Sequence, residues 1–132
     1  MPGITFNLLE YESKSWKRAL EFMKEENIHL KNQLSVILQG QVGKNILEHA
    51  EDFQNQFINT DELVLLLRND IGKLEQLSAT ITAEPASGND TINIYMKIIR
   101  NNISVAESRC AKLKMEFNCC FSKKILQQSQ LL

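Results

Sequence analysis

The chain has 132 residues, of which 43% are hydrophobic and 23% charged, with 15 basic and 16 acidic side chains and a formal net charge of −1. That length and balance fit one folded domain over residues 1–132 and exclude a disordered chain. Near-neutral charge gives no general pull toward nucleic acid or an anionic membrane, and no apolar run approaches the ~20 residues that span a bilayer.

Apolar residues in the first stretch recur at alternating steps of three and four: Trp16, Leu20, Met23, Asn27, Leu30, Leu34 and Ile37. This spacing keeps them on one stripe of a slightly underwound helix, at heptad a and d positions. The helix is expected over about 7–39. Asn7 with Glu10 has capping-box spacing, Ser13 and Ser15 are competing caps, and residues 4–6 are left as a possible extended piece. Gly40-Gln41-Val42-Gly43 ends it, supplying two residues that tolerate positive φ. So short a connection sends the next helix back antiparallel.

Helix two is expected over about 44–82. Its stripe runs Ala50, Phe53, Phe57, Thr60, Val64, Leu67, Ile71, Leu74, Ser78 and Ile81. A strand would need period two, and residues 61–67 do not alternate. Pro85 and Gly88 punctuate the next break. Asn89 or Asp90 then caps a third helix over about 90–127, with the stripe Ile92, Met96, Ile99, Ile103, Ala106, Cys110, Leu113, Phe117 and Cys120. The fold class is therefore all-α: an up-down-up antiparallel three-helix bundle of long, coiled-coil-like helices, with helix one the shortest. Residues 41–84 carry three basic and eight acidic side chains, and residues 85–132 carry seven and three. Opposite signs on helices two and three favour their packing against each other.

Two polar positions interrupt the stripes. If helices one and two pair antiparallel with residue numbers summing to 87, Leu20 meets Leu67, Leu30 meets Phe57, and Asn27 faces Thr60. Asn27 and Thr60 then hydrogen-bond in one buried polar layer. Apolar residues also lie outside the stripes, at Leu63, Leu65, Leu66, Leu77 and Ile58 on helix two and at Ile94, Tyr95, Ile98 and Val105 on helix three. Contact with two neighbours widens a stripe and accounts for most of these. Ile58, Leu65 and Leu66 cover more of the circumference than two neighbours need, and mark an interface with a second chain or a partner.

Little is left for chemistry. Glu26 and His29 have the Glu-x-x-His spacing of di-iron bundles, but such sites need the motif twice with two further glutamates, and His29 falls at an outward position. No metal or cofactor is expected. His29 with Lys31 loosely resembles histidine phosphotransfer domains, which supplies the alternative function, a phosphotransfer-like signalling bundle using His29. His49 has acidic neighbours that would repel a phosphoryl group. Three cysteines without paired spacing fit a reducing cytosol, with Cys110 and Cys120 as small core residues. Residues 1–7 lack a basic start followed by an apolar core, so no signal peptide is expected.

Glu26-Asn27-Ile28-His29-Leu30-Lys31-Asn32-Gln33-Leu34 resembles part of a leucine zipper from the basic-zipper transcription factors, with asparagine at a and leucine at the next d. The preceding basic region is missing, so the resemblance implies helix pairing and no DNA binding. Residues 16–34 and 50–71 resemble small helical proteins of bacterial genomes. That resemblance implies a bacterial cytoplasmic protein and brings no activity or site. The expected function is non-enzymatic: a protein-protein interaction module that acts as an oligomeric scaffold, adaptor or regulatory partner. Its partner is protein, itself as a homo-oligomer or another chain, with no nucleic acid and no membrane.

Overall fold

Three helices make up this computed structural model: α1 (Pro2–Leu38), α2 (Lys44–Ile81) and α3 (Pro85–Leu131), each packed against the other two. The structure describes the backbone of residues 2–81 and 85–131 and the side chains of 8–80 and 90–122. Ion pairs fix the directions. Lys17 meets Glu75 at 3.0 Å and Lys31 meets Asp61, so α1 and α2 run antiparallel. Glu12 meets Arg100 at 2.6 Å and Glu26 meets Lys114 at 3.1 Å, so α1 and α3 run parallel.

The stripes converge in layers across the three helices. In that register Leu20 lies with Leu67 and Ile103, Leu30 with Phe57 and Leu113, and Leu34 with Phe53 and Phe117; all are buried. Two hydrophobic clusters result. One holds Leu20, Met23, Leu67, Ile71, Met96 and Ile103 among others, and the second is aromatic. Phe53, Phe57, Phe117 and Phe121 form the second cluster's centre, with ring centroids 5.0 Å apart at the closest pair, Phe117–Phe121. The layer between the clusters belongs to Asn27, Thr60 and Cys110.

Several expectations are corrected. α1 begins at Pro2, so residues 4–6 are helical and Asn7 is interior rather than a cap. α3 begins at Pro85 instead of after it: proline's missing N–H has no intrahelical partner to lose in the first turn, and its fixed φ suits a helix start. Asn89 and Asp90 are therefore inside the helix. Its end at Leu131 also lies beyond the expected 127. α1 is the shortest helix, as expected, but by only one residue, at 37 against 38 for α2, while α3 has 47. The expected end of helix two at Thr82 falls outside the described residues. No glycine among the described residues has positive φ, so the Gly40–Gly43 connection turns without it.

Charge and stripe also part from expectation in α3. Among the described residues no ion pair joins α2 to α3; the inter-helix pairs all run from α1, to Glu75, Asp61 and Arg68 on α2 and to Arg100 and Lys114 on α3. The backbone leaves helical geometry at Phe121 (φ −113°, ψ 17°). Phe121 is buried there while Cys120 is exposed. The buried spacing becomes four and four (Leu113, Phe117, Phe121), because a phenylalanine gains far more than a cysteine from entering an aromatic cluster.

Candidate interaction surface

Two helical stripes on the outside of the bundle flank one groove. Leu66, Asp70, Lys73 and Leu77 follow each other on α2 at steps of four, three and four, which aligns them on one face. Tyr95, Ile98, Asn102 and Val105 do the same on α3 at three, four and three. Between the stripes is a groove of about 400 Å³ lined by Leu74, Leu77, Tyr95, Ile98 and Ile99, with Asp70 and Lys73 at its edge. Around it Leu66 is 57% exposed, Ile94 60%, Ile98 49%, and Tyr95 and Val105 48% each. Tyr95 and Ile98 line the groove itself, Ile94 with Ile98 lines the next groove on α3, and Leu66 and Val105 lie further along the two stripes.

The structure splits the sequence-derived trio. Leu66 belongs to this face. Leu65 (60% exposed) is turned by one residue, about 100° around the helix, and Ile58 lies seven residues before it on the same stripe. Ile58 lines a separate groove against α1, with Leu34, Ser35 and Leu38. The bundle was expected to account for Ile94, Tyr95, Ile98 and Val105, and it does not bury them. The available signal was that all four lie outside the a/d stripe. Leu63 and Leu77 are half-buried, as contact with a neighbouring helix requires.

At the groove α2 contributes one charge of each sign, Asp70 and Lys73, and the charges of opposite sign lie further along the two helices. Exposed Glu48, Glu51 and Glu62 on α2, and exposed Lys97 and Arg109 on α3, have no ion-pair partner among the described residues. Arg109 and Leu63 line the same side groove, which puts Glu62 and Arg109 at one level of the bundle.

The polar layer differs from the expected Asn27–Thr60 bond. Asn27 Nδ2 donates to the Phe57 carbonyl at 3.0 Å and to Asp61 Oδ1 at 2.7 Å. Thr60 Oγ1 instead donates to the carbonyl of Gln56, one turn back, at 2.9 Å. A threonine in a helix reaches its own i−4 carbonyl without moving the backbone, so it needs no neighbour. Asn27 Oδ1 is buried with no hydrogen-bond partner. Its amide bonds to α2, and the stripe around it is core.

His29 is exposed, and Lys31 is engaged by Asp61 across the α1–α2 seam. Glu26 points to α3 and pairs with Lys114, away from His29's outward position. The thiol of Cys110 is pushed above its ordinary pKa, first by burial and then by the charge of Glu107. No family model matches this chain, and neither a curated protein nor a solved structure matches it.

Proposed function

We propose that this protein is a non-enzymatic interaction module that works through the α2–α3 face, and that the partner on that face is a second copy of the chain. The groove of Leu77, Tyr95 and Ile98, with Leu66 and Val105 exposed further along the same stripes, supports this reading. At roughly 100 Å² for each half-exposed large side chain, the five residues offer on the order of 500 Å² per copy. With a polar rim, two copies reach the ~1,200–2,000 Å² of a specific interface.

Charge favours self-pairing over an unrelated partner. A two-fold axis parallel to the bundle lays the acidic α2 of one copy on the basic α3 of the other. It sets Glu62 of one copy level with Arg109 of the partner subunit, and aligns the apolar stripes at the same time. The protein is then a scaffold built on a six-helix core, of the small bacterial cytoplasmic type that residues 16–34 and 50–71 resemble. The phosphotransfer alternative is weakened because Lys31, the lysine needed to steady a phosphoryl group, is held by Asp61.

Molar mass from light scattering tests the proposal. Wild-type protein at about 100 μM is expected at twice the chain mass. Leu66→Lys and Ile98→Lys are expected at the chain mass with unchanged helicity by circular dichroism, because a lysine buried in an apolar contact is costly. Ile58→Lys, outside the face, is expected to keep the doubled mass. A wild-type monomer, or a doubled mass that survives both lysines on the face, overturns it.

A further inference from the structure

The layer that separates the two hydrophobic clusters is underfilled. Its three members, Asn27, Thr60 and Cys110, are smaller or more polar than the leucines and phenylalanines above and below. Ala19 and Ala111 stand beside it on α1 and α3. The result is a recess of about 330 Å³ in the α1–α3 seam, with an apolar wall that includes Met23, Leu30 and Leu113, the polar layer of Asn27, Thr60 and Cys110, and three charged residues, Glu26 and Lys114, which pair with each other, and Glu107. Thr60 and Cys110 also border a groove on the α2–α3 side, so the layer is loosely packed on both flanks.

Asn27 is only 3% exposed. Both of its amide hydrogens are directed at α2, toward Phe57 and Asp61. Its side-chain oxygen accepts no hydrogen bond. A buried acceptor without a donor is costly. Recesses of roughly 300 Å³ and above, mostly apolar with a few placed polar groups, are the usual form of small-molecule sites.

We propose that the α1–α3 recess binds a small, neutral aromatic molecule bearing one N–H or O–H donor, which packs against Met23, Leu30 and Leu113 and donates to Asn27 Oδ1. The oxygen is closed over in the free protein. Met23, unbranched and adaptable, is the lining side chain that yields to let the donor in. Phe22, mostly exposed at the mouth, offers its ring as a cover. The site is independent of the α2–α3 face.

The test uses indole, and indene as its near-isostere without the N–H, titrated into ¹⁵N-labelled protein and followed by NMR. Indole is expected to bind with a dissociation constant on the order of 0.1–1 mM, moving the Asn27 side-chain amide and the backbone of Ala111, which lines only this recess. Indene is expected to bind roughly five- to tenfold more weakly, the difference one hydrogen bond makes. Ala19→Leu, which grows into the recess, is expected to weaken indole about tenfold, while Leu66→Lys leaves it unchanged. Equal binding of indole and indene, or shifts that map to the α2–α3 groove, overturns the proposal whether or not the Ala19 variant folds.

Discussion

Asn27→Leu is the substitution on which the structure and the simple heptad register disagree most. If Asn27 bonded Thr60, leucine would strand the hydroxyl and cost a little stability. The observed geometry gives the opposite sign. Leucine removes two donated hydrogen bonds, one to a carbonyl at 3.0 Å and one to a carboxylate at 2.7 Å, together worth about 2–3 kcal/mol. Neither acceptor is orphaned. The Phe57 carbonyl lies within α2, where the ladder provides its helical donor, and Asp61 keeps Lys31. On the other side, leucine abolishes an unpartnered buried oxygen, worth about 1–3 kcal/mol, and buries an apolar side chain worth about 1.5–3 kcal/mol. The adjoining recess accepts the altered shape without overpacking. The net expectation is a gain of about 1–2 kcal/mol. With an m-value of about 2 kcal/mol/M, the urea midpoint rises by roughly 0.5–1 M. Molar mass is unchanged from wild type. A fall of the midpoint at constant mass would refute the reasoning, because it would mean that the amide's bonds to α2 outweigh its stranded oxygen. A change of mass would show that Asn27 sets the oligomer after all.

Phe117→Ala is expected to cost about 3–5 kcal/mol in urea unfolding, since Phe117 is fully buried and packs on Phe53, Phe57 and Phe121; a loss below about 1.5 kcal/mol would contradict the aromatic cluster as a centre of stability. Alkylation with iodoacetamide at pH 8, read by peptide mass spectrometry, should label exposed Cys119 before Cys110. Burial raises the Cys110 pKa, so at a given pH less of it is thiolate, and its rate should climb as pH rises above the ordinary thiol range. Equal labelling of the two at pH 8 would contradict the burial of Cys110.

The stripes at Leu20, Met23, Leu30, Leu67, Ile71 and Ile103 were legible from spacing alone, because a side chain's place on a helix face depends only on its distance in sequence from its neighbours. The same local rule located the Gly40–Gly43 connection and the antiparallel return. Other features depend on what meets what. The start of α3 at Pro85 is locally allowed, but so is a loop there. The shift from Cys120 to Phe121 required three phenylalanines from two helices to be near each other. Ion pairs running from α1 to both neighbours reflect which flanking positions face each seam, and a sum of charges over a segment carries no such direction. The α2–α3 face is the plainest case. Leu77 and Ile98 are 21 residues apart, and nothing in their spacing says they border one groove; only the register of two packed helices put them on the same side. Likewise, sequence placed Asn27 and Thr60 in one layer, but choosing among Thr60, Phe57 and Asp61 as hydrogen-bond partner depends on differences of an ångström in three dimensions, finer than any heptad can specify.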